Sequence, residues 1–307
     1  MRLTNYLNRP EYFFRPGQIY HRILHFNSKK INNFKNVLLP WGTEIKIPLD
    51  PEDRVGRSIR AHGIYDLSIT EALWRLIAPR ETAVDIGANI GYMTSIMVKK
   101  VGKAGKVWCF EPNPEVYEEL CENIRNWQET RGWQQISPQK IALSNQPGVG
   151  LLKLPTKNRG EASLVSPENV KEIQANKKNE LTYTVTLARL DEVLKDSGEI
   201  GVVKIDVEGH ELEVLQGTTE LIYKHYIRDI LFEEHRGYPS PVTEFLEEHG
   251  YTIFRIWKGF WGPLLKSPTK NLVHPWEPPN YLATQDTRRA IDRFKKRGWY
   301  SLSGSRF

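Results

Sequence analysis

The 307-residue chain reads as one α/β domain, built on a mostly parallel sheet with helices on both faces. Two observations carry this. Apolar stretches of strand length at 82–86, 106–110, 202–206 and 230–235 alternate with segments of helical periodicity. The first of these strands also breaks at Gly87 directly into a helix, while later strands end on the acids Glu111, Asp206 and Glu233. In a parallel sheet such ends share one edge, where open α/β sheets bind ligands.

Taken in order, residues 1–55 form an aromatic and basic N-terminal extension that caps the domain. Tyr12-Phe13-Phe14 and residues 20–26 are patterned for a short amphipathic helix, and 39–48 alternates about a turn as a hairpin. A helix is expected over 68–77, capped by Ser68 with Glu71 in the capping-box position and stopped by Pro79. Strand 82–86 leads to helix 90–100, the turn 102–105 and strand 106–110. Asn113 then caps a helix over 115–130, with Pro114 at its first position and Val116, Leu120 and Ile124 on one side. A third strand is placed at 139–143.

Segments 149–154 and 181–187 look extended and flank a polar stretch, 155–180. That pattern reads as an insertion arm, about 149–186, carried at the ligand edge, since a buried loop of this polarity would leave too many backbone groups unpaired. A short helix at 189–194, strand 202–206, a helix over 212–225 and strand 230–235 follow. Helix 242–248 and strands at 251–257 and 280–283 close the domain, placed at 56–285, and residues 260–279 supply an aromatic and proline-rich wall. Residues 286–307 form a basic tail.

Composition narrows the class. Hydrophobic residues make up 39% and charged residues 26%, and no apolar run approaches the ~18 residues of a membrane span. The first residues lack the apolar centre of a signal peptide, so a cytoplasmic location is the expectation. Cys109 and Cys121 have neither metal-ligand nor CxxC spacing and read as reduced and structural. The net charge of +6 is concentrated at Lys29-Lys30, Lys177-Lys178 and the run 288–297. Such runs are usually solvated faces or flexible ends; nucleic acid is not expected as a partner, and peripheral contact of the tail with a membrane surface stays open, as does oligomeric state.

The glycine turn, Asp85-Ile-Gly87-Ala88-Asn89-Ile-Gly91, suits close approach of a ligand to the main chain, with amide groups expected to face it. Glu111 stands where an acid holds the hydroxyls of a nucleoside ribose, which suggests an adenosine-type cofactor. A dinucleotide fingerprint would need three glycines in G-x-G-x-x-G. Here there are two, preceded by an aspartate that repels a pyrophosphate and suits an ammonium or sulfonium group. S-adenosylmethionine is therefore favoured over NAD.

The motifs Asp85-Ile-Gly-Ala-Asn89-Ile-Gly91, Phe110-Glu111-Pro112-Asn-Pro, Ala142-Leu-Ser, Leu190-Asp191-Glu, Lys204-Ile-Asp206-Val-Glu208-Gly209-His-Glu211 and Leu231-Phe-Glu233-Glu-His235 occur in this order. Together, over about 55–257, they resemble the FkbM family of S-adenosylmethionine-dependent methyltransferases. The resemblance implies a Rossmann-like class I fold with a seven-stranded sheet, and methyl transfer to a hydroxyl of a sugar, glycolipid or secondary metabolite. It places Asp85, Gly87, Ala88, Asn89 and Gly91 under the methionine half of the cofactor, Glu111 and Pro112 at the ribose and Ala142 near the adenine. Asp66 stands where the family usually has a glutamate, and no role is carried to it.

Displacement of a methyl group by an alcohol needs an aligned oxygen and an acceptor for its proton. Asp206, Glu208, Glu233 and His235 supply candidates, with Asp206 or His235 as base and Glu208 orienting the acceptor. Glu208 and Glu211 also suit capping of the following helix. The same cluster could hold a divalent metal through oxygen ligands, but Asp206, Glu208 and Glu233 match no dedicated metal motif, so a metal is the less favoured alternative. Rival readings are methyl transfer to another acceptor, and a non-catalytic basic adaptor that keeps the fold. An RNA methyltransferase would carry an Asn/Asp-Pro-Pro-aromatic tetrad where Asp206-Val-Glu-Gly stands.

Overall fold

The computed structural model describes residues 9–14, 34–50, 53–155, 162–165, 181–269 and 277–303. The expected helix over 20–26, both Lys-Lys pairs and most of the polar stretch 155–180 lie outside these residues. An antiparallel hairpin comes first, β1 (Phe34–Leu38) with β2 (Glu44–Pro48). The main-sheet strands are β3 (Thr82–Ile86), β4 (Lys106–Phe110) and β5 (Ile136–Gln139), with the arm strands β6 (Ala142–Leu143), β7 (Gly148–Leu154), β8 (Ser163–Leu164) and β9 (Leu181–Ala188) following in sequence. The main sheet resumes with β10 (Ile200–Ile205), β11 (Ile227–Glu233), β12 (Thr252–Gly259), β13 (Gly262–Lys266) and β14 (Asn280–Thr284).

Main-sheet order is β13-β12-β14-β11-β10-β3-β4-β5, parallel from β11 to β5 and antiparallel across β14, β12 and β13. The α/β reading stands, but among the described residues the sheet has eight strands where seven were expected. The extra one is β13, which folds back on β12 through a turn so close that a Cβ on Gly259 would meet the Gly262 carbonyl at 2.6 Å. The third strand also differs: it lies at 136–139, with Ala142–Leu143 pairing instead with β9. Ile141-Ala-Leu gave the stronger apolar signal, and Pro138 argued against a strand, yet proline is tolerated at a sheet edge, which β5 is. Strands β6, β9, β7 and β8 make a separate four-stranded sheet from the insertion arm.

Period-two alternation divides the core. On β3, Ala83 faces the cluster formed with helices Leu67–Leu76, Tyr92–Val101 and Pro114–Arg131, while Val84 faces the one formed with Val214, Leu221 and Leu246. Trp127 Nε1 donates to the Glu44 carbonyl at 2.6 Å and Trp41 Nε1 to Ser95 Oγ at 3.1 Å, so the hairpin sits on the helical layer.

Two helix expectations need correction. Helix Leu67–Leu76 is capped by Asp66, whose Oδ1 accepts from Ile69 N at 3.0 Å, and Ser68 lies inside the first turn. Glu71 does not reach back to the cap because Arg75 holds it in a fully buried ion pair at 2.8 Å. The helix expected over 212–225 is two, Glu211–Gln216 and Thr219–Tyr223. The break falls where Gly217 packs on Ser144, so that a Cβ there would lie 2.0 Å from its carbonyl oxygen.

Part of the basic run 288–297 is docked rather than loose. Helix Thr287–Lys295 buries Ala290 and Phe294, and the Arg75 guanidinium donates to the carbonyls of Arg293, Lys296 and Gly298. Glu71 accepts from Tyr300 N, Ser301 N and Ser301 Oγ. Among the described residues no helix is long and apolar enough to cross a membrane.

Candidate active site

The loop after β3 spends its amides internally. Gly87 N and Ala88 N donate to the Phe110 carbonyl at 3.0 and 2.9 Å, Asn89 N to Glu111 Oε2 at 2.9 Å, Ile90 N to Asn89 Oδ1 at 2.7 Å, and Gly91 N to the Ala88 carbonyl at 2.9 Å. The expectation of amides facing a ligand therefore fails, and with it the anion cradle a pyrophosphate would use. The glycines answer to the protein as well: at φ +75° a Cβ on Gly87 would stand 1.9 Å from the Asp206 carbonyl, and one on Gly91 would press on Leu120 and Trp127.

The pocket over this loop is lined by Gly87, Ala88 and Asn89, by Glu111 and Pro112, and by Ala142 from the arm. Phe110, Ile141 and Leu143 add apolar surface, Lys204, Asp206 and Glu208 add charge, and Tyr65 lines it as well. Glu111 is buried, and its Oε1 accepts from Asn113 N at 2.9 Å. Burial pushes its carboxyl up to about 7, against the two amides that favour the charge.

Asp85 and Gly91 are not among the lining residues. Asp85 is wholly buried, accepts from Thr94 Oγ1 at 2.6 Å, and lies 3.6 Å from Lys204 Nζ. Lys204 is buried too, yet its pKa is raised, because the Asp206 carboxylate at 3.2 Å and Asp85 outweigh the desolvation that opposes its charge. Its Nζ also donates to the Gly87 carbonyl at 3.0 Å, tying the tips of β3 and β10 together.

Beside Asp206, at the tip of β11, His235 Nε2 lies 2.5 Å from Glu233 Oε1, with the imidazole mostly exposed. Burial, followed by the charges of Asp206, Asp66 and Glu208, pushes the Glu233 carboxyl up to about 8. Glu208 is exposed at φ +52° on the loop that leaves β10, and Glu211 accepts from Gly209 N within that loop. Asp206 and Glu208 line the pocket; Glu233 does not, though it lies within electrostatic reach of both, and His235 joins the group through its contact with Glu233. Among the described residues no three His, Cys, Asp or Glu side chains are placed to hold a metal ion.

Lys204, Tyr65 and Thr94 carried no role in the sequence reading. Lys204 was within reach of it, since residues two apart on a strand share a face and Asp206 follows at that spacing. Tyr65 and Thr94 give no such signal, because only packing brings them to the site.

Residues 85–253 match the methyltransferase FkbM domain. The chain belongs to the FkbM methyltransferase family. It is 32% identical over 169 residues to the hexuronic acid methyltransferase AglP of Haloferax volcanii, covering 53% of this chain and 60% of the relative. It is 31% identical over 206 residues to the methyltransferase sdnD of Sordaria araneosa, covering 59% and 76%. Among solved structures it is similar to the methyltransferase FkbM of Methylobacillus flagellatus, with TM-score 0.41 and 16% identity over 74% of this chain and 59% of that one. The match to the Haloferax relative thus spans less than two thirds of that protein's length. The FkbM segment takes in the glycine loop, Glu111, Lys204, Asp206 and the Glu233–His235 pair. Helix Pro10–Phe14, Tyr65 and Asp66 precede it.

Proposed function

We propose that this methyltransferase transfers the methyl group of S-adenosylmethionine to a hydroxyl oxygen of a sugar, glycolipid or secondary metabolite. The observation that carries the reading is a pocket whose loop amides are all spent while carboxylates line it. Such a site disfavours a pyrophosphate and suits a cation. Both relatives are named methyltransferases, and the one named for hexuronic acid supports a small-molecule or glycan acceptor.

The residues present fit the cofactor. Glu111 keeps a lone pair on each oxygen beyond its bonds to Asn89 N and Asn113 N, enough to accept two ribose hydroxyls. Ala142, Phe110, Ile141 and Leu143 offer an apolar surface to a flat base, and Pro112 borders it. Asp206 is the aspartate that faces the pocket and is placed for an ammonium; Asp85 acts behind it, holding Lys204 and through Lys204 the Gly87 carbonyl. When bound, S-adenosylmethionine supplies a methyl carbon made electrophilic by its sulfonium.

The Glu233–His235 pair is the proton acceptor in this reading. Once ionised, a carboxylate raised to about 8 is a stronger base than an ordinary one, so turnover is expected to rise as pH approaches that value, and the exposed imidazole at 2.5 Å passes the proton to water. Glu208, on the pocket lining, orients the acceptor. No metal has a part, and a cytoplasmic location belongs to the same proposal.

Calorimetry with S-adenosylmethionine and with NAD tests the reading, together with turnover on a panel of hydroxyl acceptors. S-adenosylmethionine is expected to bind, Glu111→Ala to weaken it, and Glu233→Gln to spare binding while slowing turnover. Binding of NAD alone, or loss of turnover on chelation, would overturn the corresponding part.

A further inference from the structure

A second cavity adjoins the first, and Tyr65 lines both. Asp66 lines this one, with Glu11 and Arg9 at the first described helix, His62 at the end of helix Arg54–His62, and Lys258 and Glu277 beyond it. Lys258, Glu11 and Glu277 are paired and largely out of water, while Asp66 accepts from Ile69 N and Asn280 Nδ2. Lys258 Nζ is 2.8 Å from Glu277 Oε1 and 3.2 Å from Glu11 Oε2, with Lys258 3% and Glu11 5% exposed, and Arg9 reaches Glu11 at 3.3 Å. Ion pairs this deep are a costly way to fill space, since apolar side chains of the same volume do as well or better. They are a good way to recognise hydroxyls, which donate to carboxylates and accept from ammonium groups at once.

The charges also set the sign of what enters. Arg9 and Lys258 are each held by a carboxylate, Glu11 and Glu277 balance them, and Asp66, whose carboxyl burial pushes up to about 7, adds a negative charge as pH rises past that value. Past Tyr65, the neighbouring pocket presents Asp206 and Glu208. An anion would meet carboxylates on both sides, and juxtaposed like charges reject a partner more effectively than contacts attract one.

We propose that this cavity holds the body of the acceptor as a neutral polyhydroxylated ring, selecting against anionic rings such as uronates and presenting one hydroxyl past Tyr65. The inference rests on the methyl-transfer reading and deepens it. It separates this chain from the acceptor that the Haloferax relative's name records.

Methyl hexosides and the corresponding uronates, probes that differ in one charged group, are titrated into the full chain saturated with S-adenosylhomocysteine. The neutral glycosides are expected to bind at least about tenfold tighter than the uronates, the scale of one extra like-charge contact. His62→Trp, which fills the cavity away from the cofactor pocket, is expected to abolish glycoside binding and leave S-adenosylmethionine affinity unchanged. Ser58→Phe, on the same cavity wall, replaces it should that variant fail to fold. Uronates binding as well as neutral glycosides, or glycoside binding untouched by the filled cavity, overturns the inference. A protein that binds S-adenosylmethionine but no glycoside also sinks it, while one that binds no S-adenosylmethionine sinks the methyl-transfer reading instead.

Discussion

Lys204 Nζ stands 3.6 Å from the Asp85 carboxylate, on neighbouring parallel strands that place the two residues directly opposite each other. The pair is buried, and Asp206 at 3.2 Å completes a three-charge bridge under the candidate active site. Removing the central cation leaves two carboxylates without their counter-ion, one of them wholly dry. Lys204→Met is therefore expected to destabilise the fold by about 3 kcal/mol, and Lys204→Met with Asp85→Asn by less, since the second change removes the stranded charge. Urea unfolding of the two variants checks this; equal losses would show that the bridge is not what Asp85 requires.

Gly87 is constrained twice, by a φ of +75° and by the Asp206 carbonyl 1.9 Å from any Cβ. Because the obstacle is backbone, it cannot rotate away. Gly87→Ala should cost more than about 3 kcal/mol, or prevent soluble expression. Gly132→Ala, at similar φ in the left-handed region and with only the flexible Lys103 Nζ at 3.9 Å, should cost only the backbone strain, about 1 kcal/mol. Thermal unfolding of the pair compares clash with strain.

Burial raises Glu111 to about 7 and Glu233 to about 8. A carboxyl that titrates above its ordinary ~4.3 binds its proton more tightly in the folded state than in the unfolded one. Stability contributed by these groups therefore falls as pH climbs from that ordinary value to about 8, and the melting temperature is expected to be lower at pH 8.5 than at pH 6. Glu233→Gln should flatten part of that slope.

Binding of a sulfonium cation favours the charged carboxylates and runs the other way. Affinity for S-adenosylmethionine is expected to rise by up to about tenfold per pH unit between pH 6 and 7, for each proton released. Glu111→Gln should reduce that rise. Calorimetry in buffers of different ionisation enthalpy counts the protons, and a pH-independent affinity in the wild-type protein would contradict the assignment.

At the far side of the sheet, Arg75 and Glu71 are fully buried and together anchor the segment 293–301 through its backbone. Arg75→Met leaves Glu71 without its counter-ion, held only by Tyr300 N, Ser301 N and Ser301 Oγ, and three carbonyls without the guanidinium donor. The expected result is a loss of about 3 to 5 kcal/mol and faster proteolysis after residue 286, read by mass spectrometry of limited digests.

Much of the domain was legible in the sequence because its signals are local. Strands 82–86 and 106–110, the Asn113 cap and Pro114 follow from short-range pattern and capping chemistry, and the structure places each at those residues. Asp66 was missed as a cap because two residues on, Ser68 and Glu71 formed a better capping-box pattern; the burial of Glu71 against Arg75 decided otherwise. Strand 136–139 was missed because an edge position forgives Pro138, and a sequence does not say which strand is the edge.

By itself the sequence determined the α/β alternation, the glycine turn and the acids at the strand ends, since each depends on periodicity or on residue conformations that act over a few positions. Only the tertiary structure decided what those features face. It turned the loop amides inward to Phe110 and Glu111, set Asp85 against Lys204 behind the pocket, and placed Tyr65 between two cavities with Asp66 in the second. The reason is that burial and charge pairing depend on which distant segments meet, and no local pattern encodes that meeting.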